Sequence, residues 1–355
     1  MTSLDQQGLQ TSRRGLMRFA ALTGVAGVAT AAGTAAINAT AHAADATASV
    51  FPSDFSYPTV TGPSLALWGS SSFDGAHADQ GVPAGFDASP RALLSSYLSA
   101  PVLEFGRGGD TSSLITARRG TSHYRCHLIF PNDKIPASGQ VNVTLAGESL
   151  MSWGSSLQLP CYVGAVPGVL SAGASEGQYV FTRAVAGDEI YAPPINGATV
   201  VQSYQEMISR TSYHVIQIGR NNLNQPQQIK DDTQRAYDMA PERTIVLGHF
   251  RGQHDGNDST MAKQVNDYNA WAAQTYGVRF MNPETYLRET TQESWLRYGA
   301  LAGSGVWSSD DDRKAYDEGK IPATLYAADG FHLNGWGYVA LSQMIYYKVT
   351  ELGWF

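Results

Sequence analysis

Short apolar runs alternate with amphipathic stretches along most of the chain. Ser64-Leu65-Ala66-Leu67-Trp68, closed by Gly69, reads as a buried strand, since a brief apolar run ended by a turn residue suits a sheet interior. Residues 102–105, 214–218, 244–250 and 278–281 repeat that pattern. Between these runs the period changes. Ser89-Pro90 opens a helix with apolar positions at Leu93, Leu94, Tyr97 and Leu98, the serine placed as N-cap and the proline in the first turn. A polar helix is predicted over about 226–239 and an amphipathic one over 260–276. Leu341, Ile345, Val349 and Leu352 share one face of a C-terminal helix. Strand–helix–strand alternation predicts a parallel α/β sheet with helices on both faces.

One region breaks the rhythm. Residues 121–201 are rich in Val, Thr, Gly, Ser and Tyr, with turn signals about every ten residues. Gln140-Val141-Asn142-Val143-Thr144-Leu145 and Gln178-Tyr179-Val180-Phe181-Thr182 alternate as half-exposed strands do. The expected organisation is an α/β domain over 44–120 and 202–355, carrying an all-β insertion at 121–201. Both cysteines, Cys126 and Cys161, fall in that insertion, and an exported chain with two cysteines suggests one disulfide between them.

Export is the expectation from the N-terminus. Arg13-Arg14 precede a weakly apolar stretch rich in Ala, Gly and Thr that ends in Ala41-His42-Ala43, the layout of a twin-arginine signal peptide cleaved after Ala43. The glycines, threonines and Asn38 dilute that stretch too far for a membrane anchor. Its removal takes away Arg13, Arg14, Arg18 and Asp5 and moves the formal charge from −7 to −9. So acidic a chain disfavours nucleic acid and anionic membranes as partners, and no later apolar run is long enough to span a bilayer.

Four short motifs follow one another. They are Gly69-Ser70-Ser71, Gly108-Gly109-Asp110-Thr111, Gly219-Arg220-Asn221-Asn222 and Asp329-Gly330-Phe331-His332. A serine at a glycine turn just past a buried strand presents its hydroxyl at the carboxyl edge of the sheet, where open α/β sheets bind ligands. Ser71 is thus a candidate nucleophile, His332 its base, and Asp329 the carboxylate that fixes the imidazole. The backbone N–H groups of Ser71 and Gly109, with the Asn221 amide, supply three donors for an oxyanion. His249 and His254, with Asp255 and Asp258 nearby, fit no usual metal spacing, and Asp310-Asp311-Asp312 reads as a solvated loop.

The order Ser, Gly, Asn, Asp-x-x-His resembles the SGNH hydrolases, also called GDSL-like esterases and lipases. The likeness covers residues 64–118 and 212–355. It implies a three-layer α/β/α, flavodoxin-like fold and an ester hydrolase that needs no metal or organic cofactor. By that likeness Ser71 is the nucleophile, Gly109 and Asn221 line the oxyanion hole, and Asp329 with His332 completes the triad. Ser70 stands where the family has Asp, and Asn222 where Asp is common. Two decoys are set aside: Ser149, within Gly147-Glu148-Ser149-Leu150 of the β insertion, and Asn257, in a polar loop.

An acidic exported chain with Trp153, Tyr162, Tyr179, Phe181 and Tyr191 in its insertion suits an enzyme that deacylates glycans or esters of small alcohols. The same aromatics also suit β-sheet packing. A lipase or phospholipase, an acyltransferase using the same triad, and an inactive glycan-binding protein are the alternatives. The sequence does not specify an oligomeric state.

Overall fold

The computed structural model describes residues 62–152, 154–194, 199–289, 299 and 301–355. The expected signal peptide at 1–43 and Trp153 lie outside them. In chain order the elements begin with β1 (Leu65–Trp68), α1 (Pro90–Leu98), β2 (Val102–Glu104) and α2 (Ser112–Arg118). Eight strands come next: β3 (His127–Ile129), β4 (Lys134–Ile135), β5 (Gln140–Ala146), β6 (Leu159–Val163), β7 (Val166–Ala172), β8 (Gln178–Arg183), β9 (Ile190–Tyr191) and β10 (Val201–Ser203). The chain then returns through α3 (Tyr204–Ser209), β11 (Tyr213–Ile216), α4 (Pro226–Asp238), β12 (Thr244–Leu247), α5 (Thr260–Tyr276) and β13 (Phe280–Met281). It closes with α6 (Pro283–Glu289), α7 (Asp310–Asp317) and α8 (Gly335–Glu351).

Five strands form a parallel sheet in the order β13-β12-β11-β1-β2. Alternate side chains of these strands build two separate cores. Leu65, Leu67, Val102, Val215, Ile245 and Leu247 face one side, against Leu93 and Leu94 of α1 and Leu341 and Ile345 of α8. Ala66, Trp68, Leu103, Ile216 and Val246 face the other, against Ile115 of α2, Ile229 of α4 and Val265 of α5. A sheet buried on both faces needs apolar residues at every strand position, which is why its strands read as continuous runs. Ser89 caps α1 as its sequence predicts, its Oγ accepting from Ala92 N–H at 3.3 Å, and Ser259 caps α5, its Oγ accepting from Ala262 N–H at 3.0 Å. Each such cap contributes about 1 kcal/mol.

The order of connection matters for function. From β1 the chain moves outward to β2 and then returns to the opposite side of β1 as β11. Loops leaving the carboxyl ends of β1 and β11 therefore head to opposite sides, the arrangement at which open parallel sheets bind ligands.

Strands β10, β6, β7, β8, β5 and β3 are antiparallel neighbours in that order. Cys126 and Leu128 close the ring by pairing with the approach to β10, through Val201 N–H to Cys126 C=O at 2.8 Å and Leu128 N–H to Thr199 C=O at 3.0 Å. The result is a six-stranded ring of strands around its own core.

Closure also explains why the expected disulfide is absent. Cys126 and Cys161 are both buried free thiols. Cys161 on β6 pairs with Ser203 on one side of β10, while Cys126 bonds Val201 from the other. One strand thus intervenes, and two strand spacings of about 4.8 Å exceed the roughly 4.4–6.8 Å that a disulfide spans between α-carbons. Burial pushes the Cys126 thiol up to about 12 and raises that of Cys161 as well.

A second correction concerns the acidic run. Asp310–Asp317 is helical, with Ser309 Oγ accepting from Asp312 N–H at 3.1 Å. Three carboxylates in a first turn complement the helix dipole. Asp312 is buried and accepts from Trp307 N–H and Thr324 N–H, so it is a structural anchor and not a solvated residue. Among the described residues no helix is long and apolar enough to cross a membrane.

The thiol assignment makes a direct prediction. Unfolding in denaturant with iodoacetamide and no reductant should add two carbamidomethyl groups, whereas the folded protein should react far more slowly. A disulfide would leave the unfolded mass unchanged.

Candidate active site

The first site loop begins where β1 ends. Beyond Gly69, the Ser70 carbonyl accepts the N–H groups of Phe73 and Asp74, both at 3.1 Å, folding residues 70–74 into a tight turn. Ser71 in that turn is only 6% exposed. The loop after β2 lies directly against it: Arg107 N–H donates to Gly69 C=O at 3.2 Å and Gly108 N–H to Asp74 Oδ2 at 3.0 Å. Gly106 makes this approach possible, because a Cβ there would stand 2.3 Å from the Phe73 carbonyl carbon.

Ser71, His332 and Asp329 meet in one hydrogen-bonded line. Ser71 Oγ lies 2.8 Å from His332 Nε2, and His332 Nδ1 lies 2.6 Å from Asp329 Oδ2. The other carboxylate oxygen of Asp329 accepts the backbone N–H of Phe331 at 2.9 Å and of His332 at 3.0 Å. Desolvation pushes the Asp329 carboxyl up, but the hydrogen bonds from the His332 ring and these two N–H groups outweigh it and hold the acid well below the usual range. An ionised carboxylate only accepts, so the imidazole proton sits on Nδ1 and Nε2 is free to take the Ser71 hydroxyl proton.

The expected oxyanion donors flank the same hydroxyl's loop. Gly109 adopts φ +81°, and a Cβ there would meet nothing within 4 Å, so the backbone opens onto free space. Among the described residues neither Ser71 N–H nor Gly109 N–H has a hydrogen-bond partner. Asn221 follows β11 and donates through Nδ2 to Asp110 C=O at 2.8 Å. An amide carries two N–H donors, so this bond fixes the side chain and uses one of them.

Several motif residues hold these loops in ways that their sequence context did not indicate. Asn222 accepts Ser112 N–H through Oδ1 and donates through Nδ2 to Ser112 Oγ, each at 3.0 Å, tying the β11 loop to the start of α2. A carboxylate at this position lacks the donor that the amide supplies to Ser112 Oγ. Arg220 is buried between the rings of Phe250 and Phe331, 4.4 and 4.3 Å from their centroids. Its guanidinium donates to the carbonyls of both residues and so joins the Asn221 loop to the His332 loop. Asp110 pairs with fully buried Arg118 at 2.5 Å, and Arg118 also donates to Leu150 C=O of the barrel at 3.2 Å. Ser70, by contrast, is buried with its hydroxyl unpartnered among the described residues, and Asp74 makes the contact to the neighbouring loop.

No family model matches the chain, and no curated protein matches it either. The site stands on its own geometry. Neither decoy carries comparable chemistry: Ser149 Oγ bonds Met151 C=O and the Tyr179 hydroxyl, and Asn257 is held by Arg251 and the Glu318 carbonyl. His249 is a core residue, bonded to Ile218 C=O at 3.1 Å and lowered to about 3 by burial and by Arg220. The aromatics of the insertion divide. Tyr179 and Phe181 are buried in the barrel core, Tyr162 is buried on the other face of β6, and among the described members of that set only Tyr191, 69% exposed, faces solvent.

Glu104 ends β2 beneath these loops. Burial, helped by Asp74, raises its carboxyl to about 7. The folded state therefore binds a proton that the unfolded chain releases between about pH 4.5 and 7, and stability falls as pH rises through that window. Glu104→Gln should raise the melting temperature by a few degrees at pH 8 and change it little at pH 4, measured by calorimetry.

Proposed function

We propose that this protein is a serine ester hydrolase of the SGNH, GDSL-like type, with a flavodoxin-like α/β domain as its scaffold. The observation that carries the reading is the Ser71–His332–Asp329 line at 2.8 and 2.6 Å, assembled from residues 261 positions apart. The order of the parallel strands supports it: counted along the chain the sheet runs 2-1-3-4-5, and Ser71 and Asn221 leave its first and third strands, at the switch point where such sheets bind ligands.

Ser71 Oγ attacks the ester carbonyl while His332 Nε2 takes its proton, and Asp329 stabilises the imidazolium. The oxyanion is received by Ser71 N–H, Gly109 N–H and the Asn221 amide. His332 returns the proton to the departing alcohol, and water then releases the acyl group by the same route. Exported deacylation of esters of sugars or small alcohols remains the proposed setting. Of the described aromatics, Tyr191 is the one placed to meet such a substrate, since Tyr179 and Phe181 serve the barrel core and Tyr162 is buried as well.

Fluorophosphonate labelling with peptide mass spectrometry, run beside p-nitrophenyl acetate hydrolysis, tests the reading. The adduct should fall on Ser71, and Ser71→Ala should abolish it and lower kcat by about a thousandfold or more. Asn221→Ala should lower kcat by roughly 100- to 1,000-fold with little change in melting temperature. A folded protein that takes no label, or takes it on Ser149, would remove the basis for the assignment.

A further inference from the structure

A second imidazole lies close to Asp329 besides that of His332. Asp329 Oδ2 lies 3.3 Å from His77 Nε2, beside the 2.6 Å contact to His332 Nδ1. The hydrogen bonds of the carboxylate come from two backbone N–H groups on Oδ1 and from His332 Nδ1 on Oδ2, and His77 Nε2 stands at ion-pair distance beside the last of these.

The neighbours of His77 decide where its proton sits. His77 Nδ1 lies 2.9 Å from Gln80 Nε2, and Gln80 Oε1 accepts Ala328 N–H at 3.0 Å. A backbone N–H can only donate, so the amide oxygen must face Ala328 and the NH2 must face His77. His77 Nδ1 is then the acceptor, and the single proton of the neutral ring sits on Nε2, toward Asp329. Gln80 also spans two loops, since its own carbonyl accepts Gly335 N–H at the start of α8.

The backbone adds an independent observation. His77 adopts φ +66°, a left-handed conformation that glycine occupies at least cost. An imidazole is kept where the chain geometry favours no side chain. Its ring lies 5.2 Å from that of His332, and the His77 and Asp329 side chains are each 37% exposed, so water competes for the carboxylate.

We propose that His77 is a positioning residue for the triad: its Nε2–H, aligned by Gln80, holds the Asp329 carboxylate against His332. The proposal rests on the reading of Ser71, His332 and Asp329 as a catalytic triad. Sharing the carboxylate between two donors also moderates its pull on His332. Without His77 the carboxylate stabilises the imidazolium more strongly, and the acid limb of the pH–rate profile moves upward. The other titratable and charged groups around the site are Asp74 with its partner Arg107, Arg220 and Glu104, and, from the loop after β12 that packs on Gly330, His254 and Asp255; substitution at 77 leaves all of them in place.

His77→Gly removes the ring and relaxes the backbone, so folding should survive; His77→Gln restores an N–H donor. The pH dependence of p-nitrophenyl acetate hydrolysis, fluorophosphonate labelling and melting temperature would be measured for wild type and both variants. Expected for His77→Gly is kcat lower by about 10- to 100-fold with KM nearly unchanged. Its acid limb should move up by roughly half a unit to one unit, and its melting temperature should be unchanged or higher. His77→Gln should recover part of the rate. Wild-type rate and an unmoved acid limb in His77→Gly would overturn the positioning role while wild-type labelling at Ser71 left the triad intact. A lower melting temperature with an unmoved limb would reduce His77 to a structural residue. Absence of label and of hydrolysis in the wild type would take the triad reading down, and this proposal with it.

Discussion

The hydrogen bond from Ser71 to His332 joins residues 261 positions apart, and much of the α/β domain can be understood as the means of holding it at 2.8 Å. Ser71 sits one turn beyond β1, the strand at which the sheet order reverses. His332 sits just before α8, which packs its Leu341 and Ile345 onto the same face as Leu65 and Leu67 of β1. A nucleophile on the sheet and a base on a loop can keep a fixed separation only if the helix behind that loop is seated. The apolar face shared by β1, α1 and α8 does this seating, and the Tyr338 hydroxyl adds a bond from α8 to the Ala76 carbonyl of the Ser71 loop at 3.0 Å.

Packing sets the frame, and polar contacts set the loops. Asp74 ties the Ser71 turn to Gly108, Asn222 ties the β11 loop to α2, and Arg220 ties it to the His332 loop. Such bonds are individually modest, on the order of 1 kcal/mol when both partners are otherwise solvated. Buried Arg220 and the Asp110–Arg118 pair are different in kind. Removing one partner of a buried charged pair costs about 3–5 kcal/mol, because the charge left behind is stranded. Arg118 also reaches the barrel at Leu150, so the Gly109 loop is braced from the insertion as well as from the sheet.

Much of this was legible in the sequence because burial writes itself into composition. The five parallel strands and the helices at 90–98, 226–238, 260–276 and 335–351 were marked by apolar runs, caps and helical spacing. The three residues of the hydrogen-bonded line, Ser71, His332 and Asp329, were marked by motif order. Helix α2 at 112–118 was not recognised, since seven residues buried throughout carry no amphipathic signal. The disulfide expectation failed because cysteine spacing says nothing about which strands are neighbours once a barrel closes. The acidic run was misjudged because a Ser309 cap followed by three aspartates looks polar whether it is a loop or a helix start. His77 and Gln80 escaped notice for a related reason: their roles depend on a loop 250 residues away, and nothing local marks them.

The central claim is that Ser71 is an activated nucleophile facing a prepared oxyanion site. Its most direct test is a crystal structure of the protein after reaction with diethyl p-nitrophenyl phosphate. The account predicts phosphorus bonded to Ser71 Oγ, with the phosphoryl oxygen about 3 Å from Ser71 N, Gly109 N and Asn221 Nδ2. Phosphorus on a different residue, or a phosphoryl oxygen turned away from all three donors, would contradict it.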